Sequence, residues 1–352
     1  MNAAARARIA RELKDILARY RDMGYFPSAA VRVFDRDGTL AHAETGDAKE
    51  DSLFDVASLT KIATATQALS LIDRGKWALD SEIADILPEL NDHAAARERL
   101  QGVTLRRILT HTSGLPAWYP FYTRRGEDFF KALDHALLGA EREQGVVYSD
   151  LNFMLLGKAV ERAFGKPLDR CLREELVAPL SLGDMTYHPA PGSHVIPSSY
   201  GNPIEEKMCA DRGFAFDGFR PADRPVTGQV NDGNSYYYFN GVSGHAGIFA
   251  NTAAYERLCR FYMVTDSMLM ILAQREQPGA PGRGLGFQTG PSYPHGCGHT
   301  GFTGTGIYFS RTHDIGVVSM TNRLFYPQPN PQQTWEFRRA LHEAVFALRE
   351  DA

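Results

Sequence analysis

Ser58 and Lys61 stand three residues apart in FDVASLTKIATATQAL, an apolar stretch with helical periodicity. On a helix these two positions share a face, with Cβ atoms roughly 5–6 Å apart, so an amine there can take a hydroxyl proton. Burial disfavours the ammonium form and predicts a lowered lysine pKa, as a base near neutral pH requires. The backbone N–H groups at the helix start would face any oxyanion formed beside Ser58. A structural reading fits the same letters, with Ser58 as a cap and Lys61 reaching to solvent, and Ser-x-x-Lys alone is a weak motif. Two further stretches add weight. VVYSDLNFMLLG places Tyr148 and Asp150 just before an apolar helix, and GHTGFTGTG places His299, Thr300 and Gly301 on a predicted strand.

The order Ser-x-x-Lys, Tyr-Ser-Asp, His-Thr-Gly resembles the three-motif signature of the serine β-lactamases and penicillin-binding proteins. The tyrosine version is similar to the class C branch and its esterase and D,D-peptidase relatives. LTHTSGLP, GNPIEEKM, VSGHAGIFA and GHTGFTGTGIYF also resemble stretches of these hydrolases in the same order, so the likeness covers nearly the whole chain. It implies Ser58 as the acylated nucleophile, Lys61 as its base, and Tyr148 as the group that moves a proton to the leaving group and activates the deacylating water. The N–H groups of Ser58 and Phe302 would form the oxyanion hole.

Two positions depart from the family pattern. Asp150 stands where the β-lactamases have an asparagine that bonds the substrate amide, and an ionised carboxylate can only accept. His299 replaces the lysine expected to hold a substrate carboxylate, and an imidazole is only partly charged near pH 7. Asp150, His299, Thr300, Gly301 and Phe302 are the expected substrate-binding residues. The expected activity is a serine acyl hydrolase that cleaves a carboxylic ester or small amide through an acyl-enzyme at Ser58. The alternatives are a D,D-carboxypeptidase or penicillin-binding protein, a β-lactamase, an acyltransferase, and a penicillin-recognising sensor that does not turn over. The expected partner is a small ester or peptide, with no cofactor.

Other polar residues read more simply as structure. His111 in HTSGL packs a helix end; His245 in SGHAG serves either cleft lining or buried hydrogen bonding; Asp232 and Asn234 in VNDGN fit a turn as well as a cleft. The aromatic runs WYPFY and YYYF are rich enough to line an apolar acyl pocket, or to fill core. The eleven histidines include no HExxH, so no metal site is expected, and neither a GxSxG elbow nor a Walker loop occurs.

Around these motifs, 352 residues with 43% hydrophobic and 23% charged content can bury a large core in one or two joined domains. A net charge of −4 without a basic stripe argues against nucleic acid. No apolar run has the roughly 18 residues of a membrane span. The segment MNAAARARIARELKDILARY carries Ile9, Leu13, Ile16, Leu17 and Tyr20 at helical spacing and reads as a docked amphipathic helix, not a secretory signal. Cys171, Cys209, Cys259 and Cys297 show no CxxC spacing. The expected compartment is the cytoplasm, with an exported form whose signal has been removed as the alternative. The hairpin signal RDG, the strand-like GLGFQTG, GIYFS and DIGVVSMTN, and the closing helix TWEFRRALHEAVFALRE predict an α/β sheet flanked by the terminal helices, a β-lactamase-like antiparallel arrangement with an inserted all-helical domain. The predicted division is 1–75 with 240–352 for the α/β part, and 76–239 for helices and site-walling loops.

Overall fold

A computed structural model describes residues 3–326 and 334–350. Helix α1 (Ala3–Asp22) buries the same five residues that its spacing singles out. It leads into the hairpin of β1 (Ala29–Phe34) and β2 (Thr39–Thr45), where RDG makes the turn. The apolar helix α2 (Thr60–Asp73) follows, then short helices and, after a long loop, α3 (Asp150–Phe164). Helix α4 (Thr252–Val264) returns the chain to the sheet, completed by β3 (Cys297–Thr300), β4 (Gly306–Ser310) and β5 (Ile315–Thr321) and closed by α5 (Trp335–Glu350).

The five strands form an antiparallel sheet in the order β2-β1-β5-β4-β3, with Ala29 opposite Thr45 on one side and Thr321 on the other. Strands β1, β4 and β5 are buried along their whole length because both faces are covered. Val31, Val33, Tyr308 and Val317 pack with α1 and with Phe337 and Leu341 of α5. Ala30, Phe34, Ile307, Phe309 and Val318 face the other way, toward Leu258 and Tyr262 of α4. That second cluster continues through Ile62, Ala65 and Leu69 of α2 into Phe153 and Leu156 of α3, so sheet and helical layer share one core.

One predicted strand is absent. GLGFQTG is extended but irregular: Leu285 and Gly286 give their N–H groups to Ala273 and Leu109, and only Gln288 exchanges bonds with Gly298 of β3. Gly286, at φ +86°, breaks the ladder that the apolar letters suggest. Among the described residues no helix is long and apolar enough to cross a membrane.

Candidate active site

Ser58 lies on a single 3-10 turn, Ala57–Leu59, that runs directly into α2. Ala57 is held in the left-handed region at φ 47°, a conformation that costs a non-glycine residue energy and that small side chains tolerate best. The bend is fixed by the buried Asp55 carboxylate, which accepts from the Ala57 N–H at 2.9 Å and the Asn231 N–H at 2.6 Å. Burial pushes that carboxyl up to about 6. The turn after β3 is fastened to the same segment: the Thr303 hydroxyl donates to the Asp55 carbonyl at 2.7 Å and the Thr305 hydroxyl to the Val56 carbonyl at 3.0 Å. Gly301 allows this approach, since a Cβ there would stand 2.5 Å from the Val56 carbonyl oxygen. Phe302 is thereby brought to the Ser58 cleft, and among the described residues neither its N–H nor that of Ser58 has a protein acceptor.

Lys61, on the first turn of α2, is 0% exposed. Its ammonium reaches the Ser58 Oγ at 2.9 Å, the His245 carbonyl at 3.0 Å and Asp150 Oδ1 at 2.8 Å. The His245 carbonyl is available because its segment lies against α3, where a Cβ on Gly244 would meet the Phe153 carbonyl oxygen at 2.1 Å. Tyr148 and Asp150 are set by the HTSGL loop. The Val147 N–H bonds the His111 carbonyl, the Ser149 N–H bonds His111 Nδ1 at 3.1 Å, and the Asp150 N–H bonds the Ala117 carbonyl at 3.0 Å. The Tyr148 ring is surrounded by His111 at 4.6 Å and His299 at 5.9 Å between ring centres, with Lys61 Nζ at 5.0 Å and the Arg283 guanidinium at 5.3 Å from its centre.

Three expectations change at this level. Burial does push the Lys61 pKa down, but Asp150 and Tyr148 outweigh it and the net shift is upward, so Lys61 rests as an ammonium and not as a free amine. Asp150 meets this ammonium, so its carboxylate serves the lysine and not a substrate amide. His299 is 1% exposed, and burial, together with Lys61 and Arg283, pulls it down to about 3. Its Nδ1 faces the Thr300 carbonyl at 2.8 Å and donates to it. A neutral, enclosed imidazole cannot anchor a carboxylate. Gly301 falls just past the end of β3, whereas His299 and Thr300 lie on it.

Two arginines line the cleft instead. A cavity of about 330 Å³ is bounded by Ser58, Tyr148, Thr300, Gly301 and Phe302 together with Arg323 and Arg338. Arg323 donates to the Phe302 carbonyl at 2.8 Å and lies 5.3 Å from that residue's ring, which is 43% exposed. Arg338 donates to the Thr305 carbonyl at 2.8 Å, and burial lowers it to about 10, still cationic at neutral pH. No motif marks either residue; one follows β5 and the other sits on α5. The aromatic runs, by contrast, do not bound this cavity. Tyr122 and Tyr237 pack with Trp118, Phe214, Phe216 and Phe219 in a cluster of their own. Asn234 caps the Phe121 N–H at 2.7 Å, a structural bond. Asp232 accepts from His245 Nε2 at 2.9 Å and from the Ser235 N–H at 2.7 Å. Asp150, Asp232 and His245 bring ligand-capable atoms within 4.8 Å of one another, and the cation beside them is the Lys61 ammonium.

An N-acetylmuramyl-L-alanine amidase of Bacillus subtilis is 27% identical over 318 residues, covering 81% of this chain and 71% of that protein. An Escherichia coli protein, provisionally named a D-alanyl-D-alanine carboxypeptidase, is 27% identical over 339 residues, covering 84% and 75%. Among solved structures, a Sulfitobacter β-lactamase superposes with a TM-score of 0.73 at 18% identity, covering 97% of this chain and 99% of its own, and a class C β-lactamase with a TM-score of 0.71 at 17% identity, covering 97% and 99%. The Beta-lactamase family profile matches residues 13–341, so that the chain belongs to the β-lactamase family of serine hydrolases.

Proposed function

We propose that the chain hydrolyses an amide or ester through an acyl-enzyme at Ser58, and that its substrates carry a carboxylate on the leaving side. The observation that carries this reading is the 2.9 Å contact between the Ser58 hydroxyl and Lys61 in a cleft that also holds Tyr148 and two arginines. Attack by Ser58 on the substrate carbonyl develops an oxyanion, which the Ser58 and Phe302 N–H groups can hold. Tyr148 lines the same cavity as Arg323 and Arg338, so the part of the substrate that takes up its proton is the part that meets the guanidinium groups. A carboxylate there gains charge-assisted bonds. The names of two relatives, an amidase and a carboxypeptidase, support amide cleavage. The ester arm of the proposal draws support from Asp150, which has no N–H to offer a substrate amide carbonyl.

The two are separated by kcat/KM for an N-acyl-D-alanyl-D-alanine peptide, its C-terminal amide, and p-nitrophenyl acetate. The free acid should exceed the amide, and Arg338→Met should lower the acid alone, by about 10- to 100-fold for loss of a charged hydrogen bond. KM for the acid should stay flat from pH 6 to 8, because a guanidinium at about 10 does not titrate there, unlike an imidazole. Equal cleavage of acid and amide removes the carboxylate from the reading. Turnover of the ester alone leaves the esterase.

A further inference from the structure

An ammonium that donates to a hydroxyl has no lone pair with which to take that hydroxyl's proton. The Lys61 protons have acceptors in the Ser58 Oγ, the His245 carbonyl and Asp150 Oδ1, and the Tyr148 hydroxyl shares in bonding the ammonium. If Ser58 is the nucleophile, one of these protons must leave before or while the Ser58 proton arrives. The His245 carbonyl cannot accept it as a base. The carboxylate can.

We propose that Asp150 is the second proton acceptor in Ser58 acylation, joined to the hydroxyl through Lys61. The inference rests on the reading of Ser58 as nucleophile. As the Ser58 oxygen forms its bond to the substrate carbonyl carbon, its proton passes to Lys61 Nζ and a Lys61 proton passes to Asp150 Oδ1. The carbonyl π pair becomes the oxyanion, and the ammonium keeps its charge. When the intermediate collapses and the bond to the leaving atom breaks, Asp150 returns its proton to Lys61 and Lys61 supplies one toward the leaving atom by way of Tyr148. No proton or electron pair is left over.

The surroundings favour Asp150 over its neighbours. Lys61 is the sole hydrogen-bonding partner of the Asp150 carboxylate among the described residues, and the side chain is 19% exposed, so its second oxygen is open to receive a proton. Asp232 also feels the Lys61 charge, but its Oδ1 already holds two bonds, from His245 Nε2 and the Ser235 N–H, and no ion pair joins it to Lys61 among the described residues. The imidazoles of His111 and His299, at 4.6 and 5.9 Å from the Tyr148 ring centre, are held neutral by burial. Arg283, over the Tyr148 ring, repels a further cation. The upward net shift of Lys61 agrees with a lysine that cannot act alone at neutral pH.

A purely structural Asp150 makes the opposite prediction. If the carboxylate only clamps the ammonium, removing it frees a buried amine and speeds attack. The test is the rate of Ser58 modification by an alkyl fluorophosphonate, and of the p-nitrophenol burst from p-nitrophenyl acetate, from pH 5 to 10 in wild type, Asp150→Asn and Asp150→Glu. The relay predicts a wild-type rate that levels off by neutral pH. It also predicts an Asp150→Asn rate lower by roughly 10²-fold at pH 7, as for loss of a general base, with partial recovery in Asp150→Glu. A wild-type rate that climbs about tenfold per pH unit from 7 to 10, the signature of free-lysine titration, overturns the proposal without any variant. So does an Asp150→Asn protein as fast as wild type or faster. Labelling that survives in Ser58→Ala, or is absent from wild type, refutes the nucleophile itself, which is a separate result.

Discussion

At the scale of single residues the site is a set of charges arranged around one phenol. Tyr148 has two cations close to its ring, Lys61 at 5.0 Å and Arg283 at 5.3 Å from its centre. Its oxygen is needed twice in the proposed cycle, for the leaving group and for water. Tyr148→Phe keeps the ring contacts and removes that oxygen, so deacylation should slow by about 10²-fold or more and the acetyl-enzyme from p-nitrophenyl acetate should accumulate. Intact-mass measurement during turnover reads this directly, and an unchanged kcat would leave the ring as packing alone. That Ser58, Lys61 and Tyr148 come together was legible in the sequence because their signal is local spacing and motif order. Their protonation states were not. The partner that keeps Lys61 charged begins a different helix, and the burial that neutralises His299 comes from elements far away in the chain. Arg323 and Arg338 carried no signal at all, since only the tertiary fold brings them to Ser58.

At the scale of elements, the cleft depends on two close approaches of backbone to backbone. The turn after β3 must touch the segment before Ser58, and the segment around Gly244 must touch α3. In Gly301→Ala the new methyl would stand 2.1 Å from the Thr305 Oγ1 and 2.5 Å from the Val56 carbonyl oxygen. The turn would have to retreat and carry the Phe302 N–H with it. The expected cost is about 1–3 kcal/mol of stability, as for overpacking, with a fall in acylation of roughly 10²-fold for a displaced oxyanion donor. Thermal denaturation beside burst kinetics checks both; full acylation with a lowered Tm would mean that the turn moves without disturbing the oxyanion site. Element types were readable where periodicity was strong, as in α1 and the first hairpin. GLGFQTG misled because its glycines pass for a strand's small residues while supplying turns.

At the scale of the whole molecule, acid should be a weakness. His342 of α5 is buried against Tyr308, with Nδ1 facing the Ser292 carbonyl at 3.2 Å. Burial lowers it to about 4, from an ordinary value near 6.5. A depressed histidine stabilises the fold above 6.5 and loses that contribution as pH falls toward 4, because the unfolded chain binds a proton that the folded one refuses. The loss per group is at most about 1.4 kcal/mol per pH unit. His342→Gln should therefore show a shallower decline of Tm between pH 6.5 and 4.5 than wild type, and parallel curves would mean that this imidazole accepts its proton in the folded state.

The core that runs unbroken from the sheet through α2 into α3 separates two kinds of freedom. Lys61 and Asp150 stand on the two helices that share this interior, with Ser58 and Tyr148 on the segments leading into them. The arginines and Phe302 stand outside that apolar interior, on the segments that close the cleft. In the proposed cycle, acyl transfer therefore draws on the interior and carboxylate recognition on the segments that close the cleft, so that each could be altered apart from the other.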